Sequence, residues 1–155
     1  MKLIVDLIII FLSSLVGTLG FSVILHAPKK SWLPAALLGG LCYALYWLLM
    51  QLGLSEPVST FTASMAVSLL AQFCARRQQM IATIFVALSI IPLVPGLGLY
   101  RCMELLGQGK NAAGLQAGVA AMISIMMIAL GLAVGAFIFR AAVAVVPHHH
   151  RKEGA

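Results

Sequence analysis

The sequence predicts an all-α polytopic membrane protein with five transmembrane helices, the fourth broken at a Pro-Gly motif, and three observations carry that prediction. Of 155 residues, 62% are hydrophobic and only 9% charged, against roughly 25% charge in a soluble domain. The charges fall between apolar stretches of about 18 to 25 residues, the length at which an α-helix rising about 1.5 Å per residue crosses roughly 30 Å of hydrocarbon. Late in the fourth stretch, Pro92, Pro95, Gly96 and Gly98 crowd together. A water-soluble fold is excluded. The net charge of +6 and the pI near 9.7 do not signal nucleic acid, because the Lys and Arg residues sit at segment ends and form no basic stripe. They read as a topology signal, and the expected surroundings are the lipid bilayer.

The first span, 3–25, starts directly after Met1 and Lys2. Its apolar run continues to Leu25 without a small-residue cleavage site, so it reads as a retained span rather than a signal peptide. Asp6 is the one carboxylate within an apolar run, and intramembrane acids are candidates for proton coupling. The second span, 34–52, follows a connection holding Pro28, Lys29 and Lys30; the third, 58–74, follows one holding Glu56 and no base. Arg76 and Arg77 separate it from the fourth, 81–100. The fifth, 115–139, carries two GxxxG pairs, Gly114 with Gly118 and Gly131 with Gly135. That spacing lets helix backbones approach closely, and these glycines are assigned to helix packing.

Basic and non-basic connections alternate. Lys29, Lys30, Arg76, Arg77, Arg140, Arg151 and Lys152 fall on one side, and Lys2, Arg101 and Lys110 on the other. The positive-inside rule then puts the N-terminus outside and the C-terminus in the cytoplasm. Residues 1–146 form a single transmembrane domain and 147–155 a polar cytoplasmic tail. His148, His149 and His150 are adjacent on that tail and impose no tetrahedral site, so no metal is expected. Cys42, Cys74 and Cys102 show no CxxC spacing and read as small apolar residues. No nucleophile triad, H-E-x-x-H motif, phosphate loop or paired carboxylate occurs, so neither an enzyme nor a cofactor is expected.

The stretch Ile90 to Arg101 is the most informative. Pro92 and Pro95 each remove a backbone donor and obstruct the carbonyl four residues earlier, while Gly96 and Gly98 permit non-helical dihedrals. The freed backbone groups must be satisfied by protein, water or ligand, which is why broken helices in transporters surround the substrate site. A helix restarting near Gly96 aims unpaired N–H groups at such a site and suits a carboxylate. A kinked helix packed by its neighbours is the plainer alternative. On the third span, Ser55, Ser59, Thr60, Thr62, Ser64 and Ser68 supply hydroxyls, and those at 60, 64 and 68 repeat every four residues along one face. Ser59, Thr60, Ser64 and Ser68 join the candidate substrate pathway, although hydroxyls also satisfy themselves on the carbonyl one turn back.

Pro92-Leu93-Val94-Pro95-Gly96, followed by Tyr100 and Arg101, resembles the P-x-x-P-G-x-x-x-Y signature of the threonine/serine exporter family, and Ser59 to Met65 resembles the start of its third span. The likeness covers residues 34–140 and is closest to the small, separately encoded membrane subunit of that family. It implies one part of a ten-span secondary exporter of the bacterial inner membrane that moves small hydroxy amino acids outward, with some split pairs linked to a dicarboxylate such as succinate. It also implies a proton-gradient drive, a larger partner subunit and a place for Tyr100 in the pathway. Contacts between copies of the chain stay open, as does a rival reading in which the chain is a non-transporting assembly subunit of a larger membrane complex.

Overall fold

A computed structural model describes residues 2–145; the His148 to His150 tail lies outside the described residues. The chain forms α1 (Lys2–Ile24), α2 (Lys29–Gln51), α3 (Glu56–Gln78), α4 (Ala82–Ile90), a 3-10 turn (Ile91–Leu93), α5 (Gly96–Gly107) and α6 (Asn111–Val145). Among the described residues there is no strand. Helices α1, α2, α3 and α6 are each long and apolar enough to cross a membrane, and α4 with its 3-10 turn and α5 make a pair bent by 51° that supplies the fifth span. The fold is therefore all-α and polytopic, with the fourth span broken where the prolines predict.

Element ends depart from the apolar count in informative places. Helix α2 starts at Lys29, ahead of the expected residue 34, and takes Pro34 into its second turn at the expense of one ladder bond. Helix α3 starts at Glu56 because Pro57 sits in its first turn, where a missing N–H is harmless. Glu56 is thus helical rather than part of a connection. Arg76 and Arg77 complete the last turn of α3, which Gln79 ends in the left-handed region at φ 51°. Helix α6 runs for 35 residues, about 52 Å at 1.5 Å per residue, well beyond the roughly 30 Å of a bilayer core.

Short connections make α1, α2 and α3 antiparallel neighbours. Close approach of α1 to α2 depends on Gly39 and Gly40: a Cβ at Gly39 would strike the Thr18 hydroxyl, and one at Gly40 would lie 2.9 Å from the Phe11 ring. Small residues recur in the interior, where Ala35, Ala71 and Ala75 surround Phe85 and Leu88 between α2, α3 and α4. Cys42 joins Ala63, Val67 and Leu93 in a second cluster as a buried free thiol. Large apolar side chains point outward instead, as Ile9, Val16, Leu33 and Phe137 do, which suits a solvent as apolar as they are.

Helix α6 serves two partners in turn. Its first half lies along α5, where Gly114 faces Leu106 and Gly118 faces Cys102. Its second half lies along α3 in parallel, with Gly131 against Ser64 and the Phe61 carbonyl, and Gly135 against the Met65 carbonyl and Ser68. A Cβ at Gly135 would lie 2.7 Å from the Met65 oxygen and 2.7 Å from Ser68 Cβ. Backbone cannot yield as a side-chain tip does. Gly131→Ala and Gly135→Ala should therefore each destabilise the folded protein by about 1–3 kcal/mol, the usual range for overpacking. Gly17→Ala, which meets nothing within 4 Å, should be neutral or stabilising by up to about 1 kcal/mol as glycine's helix penalty is removed. Unfolding in mixed detergent micelles measures all three.

Candidate functional site

The break positions the site. Ile91 accepts a bond from the Val94 N–H at 3.3 Å, closing the 3-10 turn, and the first α-helical bond of α5 runs from the Leu99 N–H to the Pro95 carbonyl at 3.1 Å. No side chain caps α5 at Pro95, so the N–H groups of Leu97 and Gly98 precede the ladder of bonds within the helix. Both residues line a cavity of about 440 Å³ whose wall on this span continues through Pro92, Leu93, Val94 and Pro95 to Arg101.

Three other helices complete the cavity. Helix α2 contributes Tyr43 and Tyr46, whose ring centroids are 5.7 Å apart. Helix α3 contributes Glu56 and Thr60, and α6 contributes Ala120, Ala121 and Ser124. The Ser124 hydroxyl donates to Glu56 Oε1 at 3.1 Å, joining the start of α3 to the middle of α6. Thr60 donates to the Glu56 backbone carbonyl at 2.8 Å, which leaves its oxygen lone pairs available to the cavity. One carboxylate, one guanidinium, four hydroxyls and two early helix N–H groups therefore border a single space. Such a lining can hold a small solute that carries both signs of charge and hydroxyl functions.

The residues expected from sequence divide between the cavity and its surroundings. Pro92, Pro95, Gly98 and Thr60 line it, and Gly96 opens the helix beside it. Tyr100 points away, 63% exposed. Ser59 is buried and donates to the Ser55 carbonyl at 3.1 Å. Ser64 and Ser68 lie in the seam with α6: Ser64 donates to Phe61 at 2.9 Å, and Ser68 crosses to the Leu132 carbonyl at 3.0 Å. Asp6 is exposed on α1 and borders none of this space.

Glu56, Arg101, Tyr43, Tyr46 and Ser124 were absent from the sequence-based site. A signal for Glu56 exists, because the four-residue repeat of 60, 64 and 68 extends backward to 56 and forward to Gln72 and Arg76. These positions form an i, i+4 ridge, inclined to the helix axis, that α6 covers. Arg101 follows Leu97 and Gly98 at i+4 and i+3 on one face of α5. Nothing in the sequence marks the tyrosines. In detergent-solubilised protein whose three cysteines are replaced by Ser, a single cysteine at Ala120 should react rapidly with a hydrophilic thiol reagent, while one at Ser64 should stay unmodified until denaturation. Equal rates would mean that cavity and seam are not distinct.

The sequence model of the threonine/serine exporter family, ThrE, matches residues 10–140, from within α1 to the last turns of α6. No solved structure matches the chain. The matched region includes the helix break, the whole of α3 and every residue bordering the cavity. The chain belongs to the threonine/serine exporter family, a family of membrane transporters.

Proposed function

We propose that this protein exports small hydroxy amino acids, threonine and serine first, through the cavity at the helix break. The observation that carries the reading is the presence of Glu56 and Arg101 on one cavity. Arg101 and the N–H groups of Leu97 and Gly98 suit the solute carboxylate, Glu56 suits the ammonium, and Thr60, Ser124 and the two tyrosines suit the side-chain hydroxyl. The volume of about 440 Å³ falls in the roughly 300–1,000 Å³ range of small-molecule pockets. A dicarboxylate such as succinate ranks second, since its second carboxylate would face Glu56 unless that acid were protonated. Export is secondary and driven by the proton gradient, and Glu56, inside the cavity, is better placed than Asp6 to exchange a proton with solute.

The chain acts as the small subunit of a two-component exporter in the bacterial inner membrane, beside a larger subunit of the same family. Helix α5 buries none of its residues fully and rests on α6, which leaves one flank of the cavity for that subunit to close; a second copy of this chain is the alternative cover. The rival reading, a structural subunit that touches no solute, gives no reason for paired charges at the break. Double substitution P92A/P95A should reduce threonine export to background while the chain still accumulates in the membrane, and the isolated wild-type chain in liposomes should export neither threonine, serine nor succinate. Unimpaired export by the double variant would favour the structural reading.

The N-terminus lies outside and the C-terminus in the cytoplasm, a reading that the distribution of Lys and Arg supports. In intact cells, single cysteines beside Lys30 and Arg77 should be protected from an impermeant reagent, and those beside Glu56 and Lys110 labelled. The opposite pattern inverts the topology.

A further inference from the structure

A second cleft opens at the other end of α3. It has a volume of about 660 Å³ and is bordered by Gln72, Arg76 and Gln79 of α3 and by Phe139, Arg140 and Val143 of α6. Gln72, Ala82 and Arg140 are shared with an adjoining cavity of about 320 Å³ that reaches Ser68 and Leu132. The two spaces therefore lead from the paired arginines back to the hydroxyl ridge in the α3–α6 seam.

Among the described residues, the charge in this cleft is one-sided. Of the described carboxylates, Asp6 is on α1, Glu104 on α5 and Glu56 at the opposite end of α3, and none borders either space. Arg77 is engaged elsewhere, its guanidinium 5.6 Å from the centre of the Phe73 ring. Cations at a cytoplasmic helix end are expected on topology grounds alone. That rule does not bring two guanidiniums from different helices, with two carboxamides, to one cleft that has an apolar wall. The planar guanidinium fork matches a carboxylate or phosphate oxyanion, and it is less strongly hydrated than an ammonium.

We propose that the Arg76–Arg140 cleft is a second solute site, a carboxylate-binding vestibule at the far end of the polar ridge that begins at Glu56. The inference rests on the reading of the first cavity as the solute cavity. Along α3, Glu56 and Thr60 border the first cavity, Ser64 and Ser68 lie in the closed seam, and Gln72 and Arg76 border the vestibule. With no acid among the described residues on its walls, the vestibule recognises the carboxylate alone. It does not discriminate amino acids from dicarboxylates, so selection for the ammonium belongs to the Glu56 cavity.

Single cysteines at Ala120, in the first cavity, and Val143, in the vestibule, provide the test. They are introduced into the full chain with Cys42, Cys74 and Cys102 replaced by Ser, and labelling rates are followed in native membranes with threonine, serine or succinate present. Threonine and succinate should both slow labelling of Val143→Cys several-fold. Arg140→Gln, and separately Arg76→Gln, should abolish that protection while threonine still protects Ala120→Cys, which also reports that the variant is folded. Protection at Ala120→Cys with none at Val143→Cys overturns the vestibule alone; protection at neither overturns the first reading as well. The same oxyanion chemistry fits a lipid phosphate, so purified protein is compared in phosphatidylcholine vesicles with and without phosphatidylglycerol. Equal threonine protection in both supports a solute site. Labelling that falls with phosphatidylglycerol and ignores threonine assigns the cleft to a headgroup and overturns the proposal.

Discussion

A polar ridge that runs the length of a membrane helix has to be covered, and the rest of this fold follows from how α3 meets that requirement. Glu56, Thr60, Ser64, Ser68, Gln72 and Arg76 recur every four residues through it. An unsatisfied polar group in hydrocarbon costs several kcal/mol. Two devices remove the penalty. Thr60 and Ser64 donate to carbonyls of their own helix at 2.8 and 2.9 Å, and α6 lies so close that Gly131 and Gly135 touch α3 backbone. Of the ridge hydroxyls, Ser68 donates across the seam. Glycine is required on α6 because a methyl group at either position would push the covering helix away and admit lipid to the ridge.

Helix α6 is long for a related reason. The break at Ile91 to Pro95 leaves backbone groups outside any helical ladder, and irregular backbone at membrane depth survives where it lines a cavity or is buried in protein. Bending by 51° carries α5 away from α2 and α3, so that α6 is its main support. One helix consequently does two jobs: residues around Gly114 and Gly118 receive α5, and residues around Gly131 and Gly135 receive α3. Both GxxxG pairs are spent on packing within the chain. Whatever covers the outer face of α5 must meet the exposed Leu97, Tyr100 and Met103 instead.

These relations were unevenly legible in the sequence. Proline's effect is local, so the break and the restart at Gly96 could be read directly, and the four-residue period of Thr60, Ser64 and Ser68 exposed the middle of the ridge. Its ends escaped because apolar continuity assigns charged residues to connections, whereas Glu56 and Arg76 are the helical ends of the same ridge. The length of α6 was hidden likewise, since apolarity sees 115–139 while the helix runs from Asn111. Arg101 and the tyrosines belong to a category that no one-dimensional pattern reaches. They meet at the cavity because α5 bends by 51° and α2 packs beside the break, and both facts are tertiary.

How the seam is bonded also determines how readily it can part. A seam held by many bonds between helices would expose unpaired groups on opening. Here Ser64 and Thr60 keep their partners on α3 whether or not α6 is present, and separation breaks the Ser68 to Leu132 bond, a class of contact worth about 0.6 kcal/mol in membrane proteins. The Ser124 to Glu56 bond at the cavity end of the seam is lost as well, and the main resistance is close packing around Gly131 and Gly135, which falls off steeply with distance and so favours a shut seam or a clearly parted one over intermediate gaps. Under the transport reading, a path that must be sealed at rest and passable to a polar solute needs both properties. Back-bonded hydroxyls give an opened path a polar wall with little to repair, and glycine contacts give the closed state its tightness.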